Sequence, residues 1–123
     1  MVIGDYEALY KGYELVTDNE GDDAIALYFD FTNNSAEEES FFWALYYYLY
    51  QDGVELDSTT VYVNGDSMTW MDDSTMDDVP PGQTRPVCIT YKLRDTTTPV
   101  ELEMTDLYDT ATEYLTIDLS TAQ

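Results

Sequence analysis

Hydrophobic side chains recur at every second position over most of this 123-residue chain. In "AIALYFDF", which begins at Ala24, one face carries four large apolar side chains and the other carries smaller or more polar ones. Such alternation predicts strands with one buried face, because successive side chains of a strand point to opposite sides. The same pattern returns in residues 87–93, 100–104 and 115–119. The alternation therefore predicts an all-β protein with little helix.

Turn signals rich in Gly, Asp, Asn and Pro separate these segments at short intervals. The clearest are residues 17–23, 32–40, 51–53 and 64–66, and the breaker-rich stretch 67–83 is predicted to be a long loop. A chain of this length is one domain by its size, and we expect that domain to span residues 1–123. The pattern favours an immunoglobulin-like antiparallel β-sandwich of about seven strands. A barrel is the alternative.

The most aromatic stretch is "SFFWALYYYLYQ", residues 40–51, which we predict to be a single strand. Its odd positions, including Trp43, are the more purely apolar set and are expected to face the core. Its even positions are mostly tyrosine, which tolerates a hydrated hydroxyl group. With the outward tyrosine of the preceding strand they form a predicted binding surface, which comprises Tyr28, Tyr46, Tyr48 and Tyr50. The alternative, in which another segment covers this face, remains open.

The charge balance excludes several classes of partner. The chain has 26 acidic residues against 4 basic ones, for a net charge of −22, and its basic residues form no cluster. Binding to nucleic acid or to anionic membrane surfaces is therefore disfavoured. No apolar run is long enough to span a bilayer, so we expect no membrane insertion by this domain. The first ten residues lack the features of a signal peptide, so the protein is either cytoplasmic or exported by a segment outside this sequence.

The residue types present leave little room for catalysis. The sequence contains no histidine and a single cysteine, Cys88, which lies in a strand-like run. Histidine-activated nucleophiles and His- or Cys-based zinc sites are thereby excluded. A pair of carboxylates could in principle hydrolyse a glycoside, but so acidic a chain brings such pairs together by chance. We therefore expect no enzymatic activity and no required cofactor.

Calcium is the one ion that the composition favours, because it binds carboxylate oxygens on loops. Two acidic clusters qualify, at residues 18–23 and 72–78. The first does not have the spacing of an EF-hand. The second lies in the predicted long loop, which could fold around an ion, and its candidate ligands are Asp72, Asp73, Asp77 and Asp78. The simpler interpretation of both clusters is a solvated acidic turn.

Two longer stretches resemble the bacterial domain-of-unknown-function family 5067. They are "ALYFDFTNNSAEEESFFWALYYYLYQDGVEL" and "VPPGQTRPVCITYKLRDTTTPVELEM". The resemblance rests on a "TNNS" phrase, an aromatic strand with Trp, a "Q-x-G-x-E-L" phrase and a closing "D-x-x-x-P-V-E" segment. It implies an immunoglobulin-like domain of secreted bacterial lipoproteins, with no known activity and no catalytic residues.

Taken together, these features predict a non-catalytic, extracytoplasmic binding or interaction module of a bacterial cell-surface protein. The resemblance implies attachment through a lipid on a segment outside this chain, and a protein or cell-envelope partner. Two other functions are kept as alternatives: a calcium-stabilised spacer and a carbohydrate-binding domain.

Overall fold

A computed structural model describes residues 2–59, 62–63, 66–67, 78–106 and 112–119. Within these residues, two four-stranded antiparallel sheets enclose one main core. Sheet I contains β1 (Val2–Ile3), β2 (Tyr6–Thr17), β3 (Asp23–Asn33) and β8 (Thr84–Lys92). Sheet II contains β4 (Leu45–Gln51), β5 (Val54–Glu55), β9 (Val100–Asp106) and β10 (Thr112–Ile117). A short pair, β6 (Tyr62–Val63) and β7 (Asp66–Ser67), and one helical turn, α1 (Phe41–Ala44), complete the described elements.

The strand order has the connectivity of an immunoglobulin-like sandwich. Sheet I runs β1-β2-β3-β8 and sheet II runs β10-β9-β4-β5. Strands β2, β3 and β8 take the places of A, B and E in that fold, and β10, β9, β4 and β5 those of G, F, C and C′. The predicted all-β sandwich is confirmed. Because β3 and β4 follow each other in the chain but belong to different sheets, the segment between them crosses from one layer to the other.

The core is formed by the inward positions that the alternation predicted. The four large apolar side chains of β3, at positions 25, 27, 29 and 31, are fully or almost fully buried, as are those of β9 at 100, 102 and 104. The ring of Phe41 lies at the centre of an aromatic group, with its centroid 5.4 Å from that of Phe31 and 5.1 Å from that of Tyr47. Each sheet thus buries one face against the other.

The prediction of an unbroken strand through residues 40–51 is wrong at its start. Ser40 caps the α1 turn, its Oγ accepting a hydrogen bond from the Trp43 backbone N–H at 3.3 Å. In a helical turn, positions three and four apart share a face, so Phe41 and Ala44 point inward while Trp43 points outward. The Trp43 side chain is accordingly 63% exposed rather than in the core. From Leu45 onward the predicted alternation holds, with Leu45 and Leu49 buried.

The "QDG" turn signal is confirmed in detail. Asp52 and Gly53 both have positive φ angles, 50° and 78°, which a two-residue hairpin of type I′ requires. Gln51 therefore pairs with Val54. After β5 the chain leaves sheet II and runs beside the outer edge of β8, where Ser58 bridges to Tyr91. This crossing covers part of an edge strand whose other half carries Pro86, a residue that suits edges.

The outer face of β3 is more buried than the alternation predicts. Ala24 and Ala26, expected on the solvent side, are fully buried. With Cys88 of β8 they form a second, small cluster, against which Val16 and Tyr28 pack. Their small side chains lie between larger neighbours on the same sheet, so this part of the outer face of sheet I is closed by its own residues.

Candidate binding face and acidic clusters

The structure brings three of the four predicted surface tyrosines together. Tyr46, Tyr48 and Tyr50 alternate along the outer face of β4 in sheet II. Tyr28 does not join them, because its strand belongs to sheet I, where it pairs with Gly12 and Cys88. There the Tyr28 hydroxyl donates a hydrogen bond to Glu14 Oε1 at 2.5 Å. The predicted grouping failed because strands that follow each other in a sandwich often lie in different sheets.

Glutamates lie beside these tyrosines on the neighbouring strands. Strand pairing sets Glu103 between Tyr48 on β4 and Tyr114 on β10. Tyr50 likewise lies between Glu101 on β9 and Glu55 on β5. We call this surface the Tyr–Glu face; it consists of Tyr46, Tyr48, Tyr50, Glu55, Glu101, Glu103 and Tyr114. Directly opposed residues have Cβ atoms about 5 Å apart, so aromatic rings and carboxylates alternate at contact distance.

The Tyr–Glu face is exposed at Tyr46 and Tyr114 and is negatively charged. Tyr46 is 48% exposed and Tyr114 is 71% exposed. Partial burial, followed by the negative charges of Glu103 and Glu55, raises the pKa of Tyr50. Among the described residues, the ion pairs of this protein involve only Lys11 and Lys92, and neither reaches a carboxylate of this face. The face therefore has aromatic area and uncompensated negative charge.

The first acidic cluster, at residues 18–22, is folded around a lysine. Lys92 Nζ lies 2.7 Å from Asp18 Oδ2, 2.8 Å from Glu20 Oε1 and 3.2 Å from Asp22 Oδ2. The other Asp18 oxygen, Oδ1, accepts the backbone N–H groups of Glu20 and Asp22, each at 2.9 Å. The Thr59 hydroxyl donates to Asp18 Oδ2 at 3.0 Å. We call the four charged residues, Asp18, Glu20, Asp22 and Lys92, the Lys92 cluster.

The electrostatics of the Lys92 cluster are those of a structural ion pair. The hydrogen bond from Lys92 holds the pKa of the Asp18 carboxyl far below its usual range, and the turn N–H groups add to the effect. The same bond, with that to Glu20, raises the pKa of Lys92. The three carboxylates offer oxygen atoms within 4.8 Å of one another, a spacing that could hold a metal ion. The Lys92 ammonium lies among those oxygens, so the protein supplies its own cation to this turn.

The second acidic cluster lies almost entirely outside the described residues. Asp72, Asp73 and Asp77 fall there, so the predicted calcium ligands stay a prediction. Asp78 is described and is exposed. It immediately precedes Val79, which is buried and pairs with Glu39. The structure thus places one end of the candidate loop against the β3–α1 connection.

Two buried amides, which the sequence reasoning missed, hold the loops in place. Asn33 Nδ2 donates to the carbonyl groups of Glu37 and Val79, at 2.7 and 2.8 Å, and its Oδ1 accepts from Ser35. Gln51 Nε2 donates to two carbonyl groups of the β8–β9 loop, those of Asp95 and Thr98. The Gln51 Oε1 accepts the Arg94 N–H at 2.7 Å.

Both amides belong to phrases on which the family resemblance rests, "TNNS" and "QDG". The sequence signal that could have identified them is an amide side chain in a predicted turn next to an apolar strand. The hydrogen bond from Gln51 to the Asp95 carbonyl connects the "Q-x-G" phrase to the "D-x-x-x-P" phrase in the fold. Asp95 itself accepts the backbone N–H groups of Thr98 and Thr97, which lower its pKa to about 2. These phrases therefore specify loop conformation.

The fold and the site together define a class of protein: an immunoglobulin-like β-sandwich with one aromatic, acidic sheet face. The family model described as "Domain of unknown function (DUF5067)" matches residues 1–106, and the chain belongs to this family. No curated protein sequence shows significant similarity to the chain. In the part of the chain that the structure describes, no helix is long and apolar enough to cross a bilayer.

A solved structure shares the fold. It is that of a "putative lipoprotein from Staphylococcus aureus subsp. aureus NCTC 8325", with a TM-score of 0.72 and 17% sequence identity. The similarity covers 99% of this chain and 93% of that chain. The two proteins thus have the same architecture over nearly their whole lengths.

Proposed function

We propose that this domain is a non-catalytic binding module that acts outside the cytoplasmic membrane and binds a protein partner through the Tyr–Glu face. The observation that carries the proposal is the difference between the two outer sheet faces. On the outside of sheet I the ring of Tyr28 packs against a small buried cluster, whereas the Tyr–Glu face leaves Tyr46 48% exposed and Tyr114 71% exposed. An exposed group of large aromatic side chains is typical of recognition surfaces.

Tyrosine suits such a surface for physical reasons. Its ring offers a large contact area at a small cost in conformational entropy, and its hydroxyl tolerates either water or a partner. A β-sheet holds its rings in fixed register, so little ordering is needed on binding. The absence of histidine from the sequence and the burial of Cys88 support a non-catalytic role.

The extracytoplasmic location is supported by the shared fold with a structure described as a lipoprotein. We propose that a lipid anchor on a segment outside this chain attaches the domain to the cell surface. Protease added to intact cells that express the full-length gene product should then digest the domain. Digestion only after lysis would show that the domain is not exposed at the cell surface and would contradict this part of the proposal.

Screening against a peptide display library and a glycan array tests the binding role. Two variants are compared with the wild type. The first combines Tyr46→Ser and Tyr48→Ser on the Tyr–Glu face, and the second carries Leu9→Ser on the outside of sheet I. Leu9 is a matched control because its exposure, 49%, is close to that of Tyr46, 48%. We expect peptide ligands that are lost with the tyrosine variant and kept with Leu9→Ser. Ligands that bind all three proteins equally would contradict the proposal.

A further inference from the structure

The charged residues of this protein are divided unequally between the two sheets. Within the described bounds of its four strands, sheet II contains glutamates and aspartate but neither lysine nor arginine. Sheet I contains Lys11, Arg85 and Lys92. The single remaining basic residue of the sequence, Arg94, lies exposed in the loop after β8. No strand of sheet II thus provides a cation to the Tyr–Glu face.

The two lysines of sheet I are already engaged. Lys92 is held by the three carboxylates of its cluster, and Lys11 Nζ lies 3.8 Å from Asp30 Oδ2. On the Tyr–Glu face, by contrast, Glu101 and Glu103 have no lysine or arginine partner among the described residues. Both lysines of the chain thus form their ion pairs away from the Tyr–Glu face.

The geometry of the face suits an incoming cation. Glu103 stands between two tyrosines in register, and Tyr50 stands between two glutamates. Adjacent strands are about 4.8 Å apart, so a cation above a tyrosine ring is also within reach of a neighbouring carboxylate. Lysine and arginine bind aromatic faces through cation–π attraction, and a carboxylate at the edge of the ring adds an ion pair. The two interactions are available at once in several adjacent positions.

We propose that the partner of the Tyr–Glu face presents a cationic polypeptide segment, whose lysine or arginine side chains lie on the tyrosine rings between Glu55, Glu101 and Glu103. This inference rests on the proposed function and adds the chemistry of the partner to it. Anionic polymers are repelled by the carboxylates of the face. The net charge of −22 steers basic partners toward the protein from a distance.

Fluorescence anisotropy with labelled oligolysine tests this proposal, with oligoglutamine of equal length as the uncharged probe. Glu101→Gln with Glu103→Gln removes two charges from the face while preserving side-chain shape. The matched control, Glu37→Gln with Glu38→Gln, removes two exposed charges from the β3–α1 loop. We expect the face variant to weaken oligolysine binding about fivefold to tenfold and the control to change it less than about twofold.

The outcomes separate the two proposals. Equal weakening by the two double variants would show that only the net charge matters, and would overturn the inference. In a second outcome, Tyr46→Ser with Tyr48→Ser abolishes binding of a neutral peptide or a glycan, while oligolysine binds the wild type and the face variants equally. The proposal of a cationic partner is then wrong, and a tyrosine-dependent binding role survives. If no ligand responds to the tyrosine variant, both proposals fail. Thermal melts of each variant check that the fold is retained.

Discussion

The outer faces of the two sheets are built in opposite ways from similar strands. On the outside of sheet I, polar groups find partners within the protein: the Tyr28 hydroxyl donates a hydrogen bond to Glu14, and Lys92 pairs with three carboxylates of the β2–β3 turn. Small residues fill the remaining space, and Ala26 has no exposed surface. On sheet II, large rings and carboxylates stand side by side without a cation. Burial on a sheet face therefore depends on side-chain size and pairing more than on alternation.

The largest effect on stability should come from removing the charge of Lys92. Lys92→Met leaves three carboxylates facing one another within 4.8 Å, and like charges at that distance repel strongly. We expect this variant to lower Tm, measured by circular dichroism, more than any other single substitution on either sheet face. The matched control is Arg94→Met, which removes the same charge from an exposed loop position and should change Tm little. Equal losses would show that the Lys92 cluster has no special role.

The same variant tests for a latent cation site. With the ammonium removed, the carboxylates of Asp18, Glu20 and Asp22 could bind calcium through oxygen ligands. We expect millimolar calcium to raise the Tm of Lys92→Met more than that of the wild type. An equal rise in both proteins would point to another site, of which the acidic stretch at residues 72–78 is the candidate from sequence.

A smaller loss of stability should follow from enlarging a buried side chain on the outer face of sheet I. Ala26 has no exposed surface, so Ala26→Leu adds carbon atoms to a position that is already filled. Overpacking of this kind costs about 1–3 kcal/mol. Urea denaturation should show that loss of unfolding free energy. On sheet II, Tyr46→Leu should change the unfolding free energy by less than about 0.5 kcal/mol, since its side chain is half exposed. Equal effects would remove the distinction between the two faces.

Much of this contrast could be predicted from the sequence, but only where the information is local. The alternation in β3 and β9 identified the buried positions, and "QDG" identified a hairpin whose two turn residues have positive φ angles. The pairing of distant strands could not be obtained this way. Tyr28 was therefore grouped with the tyrosines of β4, although its strand pairs with β2 and β8.

The errors at Trp43 and in the loops have the same origin. Serine is a common N-cap residue, but the long aromatic run after Ser40 favoured a strand. Only packing in the core selects the helical turn that buries Phe41. The role of Gln51 depends on a loop 43 or more residues away in the chain. No local pattern encodes such contacts.

Acid should weaken the turns before it affects the sheets. The pKa of Asp95 is lowered to about 2 in the folded protein, against about 4 in an unfolded chain. A lowered folded-state pKa stabilises the fold above about pH 4, and the stabilisation is lost as the pH falls through about 2. The pKa of Asp18 is lowered as well, so its contribution is lost in the same direction. We expect Asp95→Asn to show a smaller fall in Tm between pH 4 and pH 2 than the wild type, and an identical fall would contradict this assignment.

The smallest effect on stability, and the largest on binding, should come from the open face. Tyr46→Ser with Tyr48→Ser should lower the unfolding free energy by less than about 1 kcal/mol, because both side chains lie outside the core. Urea denaturation measures this directly. Complete unfolding of the double variant would show that these tyrosines belong to a buried layer.

The central claim is that aromatic side chains are exposed on the outer face of sheet II and packed on that of sheet I, and tyrosine nitration followed by mass spectrometry tests it most directly. We predict rapid modification of Tyr46 and Tyr114 and slow modification of Tyr28, whose pKa is raised by burial and by its hydrogen bond to Glu14. Nitration of Tyr28 as fast as that of Tyr46, or protection of Tyr46 and Tyr114 in the isolated protein, would contradict this claim.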